Sequence, residues 1–122
     1  MLSEIIQRLH QARLAGDLPA MCRLFASEGR FEIRGASADK PIAITADRLS
    51  DFRPWLGMMV KAFRLSQYAV VSTVREEPRI AVRWRADIYS KVTGVTVPTE
   101  LIDLAEVHDG RIIQYSEFFV PR

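Results

Sequence analysis

Two acids near the C-terminus are placed for proton chemistry: Asp103 in ELIDLAEV and Glu117 in IIQYSEFFV, both on apolar stretches with aromatic neighbours. Desolvation on an apolar wall pushes a carboxyl pKa upward, and a second carboxyl nearby pushes one of the two further. Such a pair can hold one protonated donor near neutral pH, as general acid/base chemistry requires. Asp103 is then the expected donor or acid and Glu117 the base, with Trp84 and Tyr115 positioning a ligand. The plainer alternative pairs each acid with an arginine as a structural salt bridge. Either acid in bulk solvent, or clamped by a guanidinium, would leave a passive receptacle or a scaffold.

Whether the acids meet depends on strand parity, because side chains alternate between the faces of a strand. Ile113, Tyr115, Glu117 and Phe119 share one face of the last strand; Leu101, Asp103, Ala105 and Val107 share one face of the strand before it. A three-residue HDG loop with a glycine bulge would set Asp103 opposite Tyr115 and Glu117 diagonally beside it. A two-residue Asp109-Gly110 turn would shift the register by one and put the acids on opposite faces. Upstream, Ile80, Val82, Trp84, Ala86 and Ile88 form an apolar face, so Arg83, Arg85, Asp87 and Tyr89 are expected to point outward, to solvent or a subunit contact.

The elements that position these residues run helices first, strands after. Leu2, Ile5, Ile6, Leu9 and Arg13 recur at helical spacing, and Gly16-Asp17 ends that helix and caps the next. Pro19 falls in the first turn of the second helix, whose stripe is Leu18, Met21, Cys22 and Phe25. Cys22 reads as an inert core thiol. Gly29–Gly35 alternates as a strand, and ASADKPIAIT reads as a polar loop. A third helix carries Leu49, Phe52, Leu56, Met59, Val60 and Phe63, with Asp51 as N-cap so that Pro54 lies in its first turn. Strands follow over 65–74, 79–91, 96–107 and 111–120, with turns at Thr93-Gly94 and Asp109-Gly110. Sequential antiparallel pairing makes an α+β domain over residues 1–122.

At 122 residues and 48% hydrophobic, the chain is long and apolar enough for one core. Its net charge of +2 comes from basic residues interspersed with acids, without the contiguous stripe that a nucleic-acid surface needs. No apolar run approaches the roughly 20 residues of a membrane helix. The N-terminus reads as an amphipathic helix, not a signal peptide, and one cysteine fits a reducing, cytoplasmic setting. Metal-ligand spacing, phosphate loops and nucleophile elbows do not occur, so the expected chemistry is cofactor-free and metal-free.

The element order and the phrases LAGDLPAMCRLFASEGRFEI, ELIDLAEVHDGRI and IIQYSEFFV resemble the nuclear transport factor 2-like superfamily, in particular SnoaL-like polyketide cyclases and ketosteroid isomerase-like proteins. The resemblance implies a cone-shaped curved antiparallel sheet (the cystatin-like α+β barrel) wrapped around the N-terminal helices, an apolar pocket for a small apolar molecule, and a homodimer through the sheet. It implies an isomerase, cyclase or hydratase type of activity, or a non-catalytic binder. In ketosteroid isomerases the position of Asp103 donates a hydrogen bond to substrate. Their tyrosine falls on Leu9 and their base on Ile33, with Glu32 one residue earlier, so both are missing here. His10, one residue from Leu9, is turned about 100° around the helix and is expected to be exposed. Limonene-epoxide hydrolases are similar in another way, through Arg85-Ala86-Asp87 with Glu117. The expected ligand-binding set is Trp84, Tyr115, Leu9, Phe52 and Phe119.

Overall fold

Gly16 stops the first helix in the left-handed region, at φ +70°, and the Asp17 carboxylate then accepts from the Ala20 N–H at 3.1 Å to cap the second. The computed structural model that shows this describes residues 2–36 and 41–121. The helices are α1 (Leu2–Ala15), α2 (Leu18–Arg23) and α3 (Leu49–Lys61); the strands are β1 (Phe25–Ala36), β2 (Pro41–Ala46), β3 (Phe63–Glu76), β4 (Arg79–Ser90), β5 (Thr96–His108) and β6 (Arg111–Pro121). Among the described residues no helix is long and apolar enough to cross a membrane.

Three local expectations change. Phe25 opens β1 instead of closing α2, and in the same way Phe63 opens β3 instead of closing α3. Part of the expected polar loop is strand β2, paired antiparallel with β1 from Phe31↔Ala46 to Ala36↔Pro41; residues 37–40 lie outside the described residues. Apolar Ile42 and Ile44 alternate across that segment, a strand signal outweighed in the sequence by its polar start. Helix α3 begins at Leu49 behind Arg48, so Pro54 lies inside the helix and cannot bond the carbonyl one turn back. Packing of buried Phe52, Leu56 and Met59 offsets that loss.

The strands form one sheet in the order β2-β1-β6-β5-β4-β3. Hairpins join β3 through β6, as expected, but β1 lies parallel to β6, so the sheet is mixed and not purely antiparallel. A run of sequential hairpins leaves one edge of β6 unpaired, and the N-terminal strand covers it. The Asp109-Gly110 turn is the two-residue type, with φ of 51° and 72° and His108 opposite Arg111. Left alone, that turn would separate the acids. A bulge follows at once: Val107 pairs with Ile112 but Glu106 with Gln114, so Ile113 is an extra residue that restores parity. Asp103 therefore faces Glu117 directly, and neither acid pairs with Tyr115, which lies opposite Ala105.

One rung across the inner face reads Val82, Asp103, Glu117, Ile33, Ile44, and its neighbour reads Ile80, Ala105, Tyr115, Phe31, Ala46. The three helices and the inner face enclose the core. Phe52 of α3 stacks on Phe31 with ring centroids 4.9 Å apart, and Phe25 meets Phe52 and Tyr115 edge-on. Cys22 is buried there, and burial raises its thiol pKa, as an inert core thiol requires.

Candidate functional site

Residues Ile6, His10 and Arg13 lie at i, i+4 and i+7 on α1, so one helix face carries all three. That face meets the acid rung. His10, expected to be exposed, is only 2% exposed. Its Nε2 donates to Asp103 Oδ2 at 2.6 Å, and its Nδ1 lies 2.7 Å from the Tyr68 hydroxyl. Asp103 ionised can only accept, so Nε2 carries a hydrogen. The Arg13 Nη1 donates to Glu117 Oε2 at 2.7 Å, and the guanidinium lies over Trp84 at 5.4 Å. Between the acids stands the Tyr115 hydroxyl, 2.8 Å from Asp103 Oδ2 and 2.7 Å from Glu117 Oε2. The result is one chain, buried except at its half-buried Tyr68 end: Tyr68, His10, Asp103, Tyr115, Glu117, Arg13.

The two acids are pushed apart in pKa. Burial alone would raise Asp103, but the hydrogen bond and charge of His10, the Trp84 indole N–H and Arg13 outweigh it and hold the group below its ordinary value. Glu117 goes the other way: burial and the facing Asp103 prevail over Arg13 and raise it. Burial, with both acids beside it, lifts Tyr115 well above an ordinary phenol. Asp103 Oδ1 and Trp84 Nε1 are buried without a well-formed hydrogen bond among the described residues, as is Arg13 Nε.

Beside this chain lies a cavity of about 330 Å³, within the range of small-molecule sites. Ile33, Ile44, Met59, Ile88, Leu101 and Phe119 wall it, and among the described residues Arg13 and Glu117 are its only charged lining residues. Exposed Thr93 and Val95, from the β4–β5 hairpin, line it too and mark its mouth. Phe119 packs directly against Gly35, where a Cβ would fall 2.1 Å from the ring. Glycine is needed there for close approach.

Of the expected site residues, Glu117 and Phe119 line the cavity. Asp103 faces inward but is fully buried behind His10 and Tyr115, and it does not line the cavity. Leu9, Phe52, Trp84 and Tyr115 are all buried and likewise outside the lining: Leu9 and Phe52 are core packing, Trp84 lies between His10 and Arg13, and Tyr115 bridges the acids. Arg85 is exposed and Asp87 half-buried on the opposite face of β4 from Trp84. The epoxide-hydrolase arrangement therefore does not assemble, for the reason that alternation already gave. The guanidinium clamp that would turn an enzyme into a receptacle is present at Glu117.

Sequence reasoning missed His10, Arg13 and Tyr68. The i, i+4, i+7 spacing of Ile6, His10 and Arg13 was the available signal for the first two. Tyr68 had none: it is aimed inward at a bulge in β3 where Gln67 takes φ 53°, a conformation uncommon outside glycine.

The sequence profile of the SnoaL-like domain matches residues 6–115, and the chain belongs to that family. No curated protein matches it. Among solved structures, a candidate isomerase from Bacillus subtilis is similar at 19% identity and TM-score 0.82, over 97% of this chain and 85% of that one. A protein with a ketosteroid isomerase-like fold from Catenulispora acidiphila, solved with trimethylamine, is similar at 14% identity and TM-score 0.77, over 96% and 85%. An NTF2-like protein from Burkholderia xenovorans is similar at 18% identity and TM-score 0.77, over 96% and 87%. At these identities the likeness is one of fold.

Proposed function

We propose that this SnoaL-like chain binds a compact, largely apolar small molecule in the cavity beneath α1 and α3, with the Arg13–Glu117 pair anchoring its polar group. One observation carries the reading: a cavity of ligand size has apolar walls and charge at a single spot. Its volume, at about 30 Å³ per water-sized group, accommodates on the order of ten non-hydrogen atoms. Native mass spectrometry and ligand-detected NMR on the purified protein test it. We expect an apolar molecule of that size to bind the wild type and to lose binding in Leu101→Trp, which fills the cavity. Unchanged binding in that variant would move the site elsewhere.

A second reading is favoured by the opposed pKa shifts of the acids: Glu117 as a proton donor to the bound molecule, with Asp103 holding the compensating negative charge. This reverses the roles expected of the two acids. Turnover of any bound molecule that vanishes in Glu117→Gln would support it, and release of that molecule unchanged would favour binding alone.

The expected homodimer would use the outer face of the sheet. Val74, Ile102, Leu104 and Val120 are exposed there, beside the ion pairs Arg83–Glu100 and Arg79–Glu106. Apolar groups flanked by charges of both signs are self-complementary about a twofold axis. Sedimentation should show a dimer that Leu104→Glu dissociates; a monomeric wild type would remove this part of the proposal.

A further inference from the structure

The hydrogens around Tyr115 can be counted. Its phenol oxygen lies 2.8 Å from Asp103 Oδ2 and 2.7 Å from Glu117 Oε2, both buried. Two electronegative oxygens at such separations need a hydrogen between them. Two contacts need two hydrogens, and the phenol supplies one. The other sits on Oδ2 or on Oε2. With an ionised phenol both hydrogens would come from these same two carboxyl oxygens. Each arrangement is complete without a hydrogen on Glu117 Oε1. That oxygen also has no hydrogen-bond partner among the described residues, since Oε2 takes both Arg13 and Tyr115. Glu117 thus offers the cavity a bare acceptor.

Arg13 offers the opposite. It lines the same cavity, only Nη1 is engaged, and its buried Nε is unpartnered among the described residues. The hydroxyls nearer the mouth are already engaged. Thr99 Oγ1 donates to the Val97 carbonyl at 2.9 Å, Ser90 Oγ accepts from the N–H groups of Val92 and Thr93, and Thr93 Oγ1 accepts from the Val95 N–H. The charged spot is therefore an acceptor beside a donor. A hydroxyl complements both through one atom. A ketone lacks the donor for Oε1, a carboxylate lacks it and adds charge, and an ammonium has nothing to accept from Arg13.

We infer that the occupant of this cavity carries a hydroxyl group on a compact hydrocarbon frame, donating to Glu117 and accepting from Arg13. The inference rests on reading the cavity as the ligand site, and it adds the chemical class.

The test uses four probes of one skeleton, cyclohexanol, cyclohexanone, cyclohexylammonium and methylcyclohexane, titrated into the full chain by NMR. Cyclohexanol should bind about tenfold tighter than each of the others, the scale of one or two net hydrogen bonds. That advantage should vanish in the double variant Arg13→Leu/Glu117→Leu, which still binds methylcyclohexane. Cyclohexanone or cyclohexylammonium binding as tightly as the alcohol would overturn the inference and leave the cavity reading intact. So would an alcohol preference that survives in the double variant. Failure of all four to bind would overturn both. If the double variant does not fold, the wild-type ranking alone decides.

Discussion

Removing Arg13 tests the energetic centre of the site. Its pair with Glu117 is 2.7 Å long, and the side chains are 7% and 3% exposed. Breaking a buried pair from one side costs about 3–5 kcal/mol, because the surviving charge has lost its partner. Arg13→Met should therefore destabilise the protein by about 3–5 kcal/mol at pH 8. The surviving carboxyl has an escape: it can take up a proton, more readily because burial and then Asp103 already raise its pKa. At pH 5 the loss should shrink to about 1–2 kcal/mol, the lost hydrogen bond and the contact with Trp84. Adding Glu117→Leu should return stability to within about 1 kcal/mol of wild type, since apolar replacement of a whole buried pair is often neutral. Urea denaturation, followed by the fluorescence of Trp84 beside the pair, reads the series. With a slope of about 1–3 kcal/mol per molar urea, the single variant moves the midpoint by about 1–5 M. A single-variant cost below about 1 kcal/mol at pH 8, or a double variant no better than the single, would refute the reasoning.

Three further outcomes are expected. The raised pKa of Glu117 gives a stabilising contribution that is complete below about pH 4.3, the unfolded value, and is lost as pH rises through the folded one; the lowered pKa of Asp103 gives a contribution present above about pH 3.9 and lost as pH falls through its folded value. Urea midpoints from pH 3 to 8 should therefore decline on the alkaline side, and an undiminished decline in Glu117→Gln would contradict the assignment. Gly35→Ala places a methyl 2.1 Å from the Phe119 ring, so the ring must swing; a cost of about 1–3 kcal/mol and altered binding of apolar probes should follow, and unchanged Phe119 NMR shifts would contradict it. Tyr68→Phe, at the half-buried end of the chain, should cost about 1 kcal/mol, whereas Tyr115→Phe, which leaves two buried acids facing each other, should cost about 2–3 kcal/mol; the reverse order in urea denaturation would contradict the network.

Much of this was readable from local pattern. Alternation assigned Trp84 inward and Arg85 outward, because one face of β4 is uniformly apolar and the other is not. Gly16, Asp17 and Pro19 marked the break between α1 and α2 through their own backbone requirements. The parallel contact of β1 with β6 was not readable, since no local feature of FEIRG says which distant edge it will cover. His10 reads as exposed only if the buried side of α1 is a narrow stripe. In fact Ile5, Leu9 and Ala12 are buried on the same helix as Ile6, His10 and Arg13, so its apolar arc is wide enough to take in both sets.

The acid pair itself shows how far local reading reaches. Sequence admitted two turns: one put both acids on the same wall, the other put them on opposite walls. The chain takes the second turn and still achieves the first result, because Ile113 is inserted three residues after the glycine. A type I′ turn twists with the strands and suits Asp-Gly, so local energetics select it. Burial of Tyr115 and Glu117 then requires the opposite parity, and a bulge is the small distortion that reconciles the two. The same inserted residue sets Glu117 opposite Asp103 and Tyr115 opposite Ala105. That offset lets the phenol reach both carboxyls, leaving one oxygen of Glu117 for the cavity. The polar character of the cavity thus traces to a conflict between a turn and a core, settled at one position.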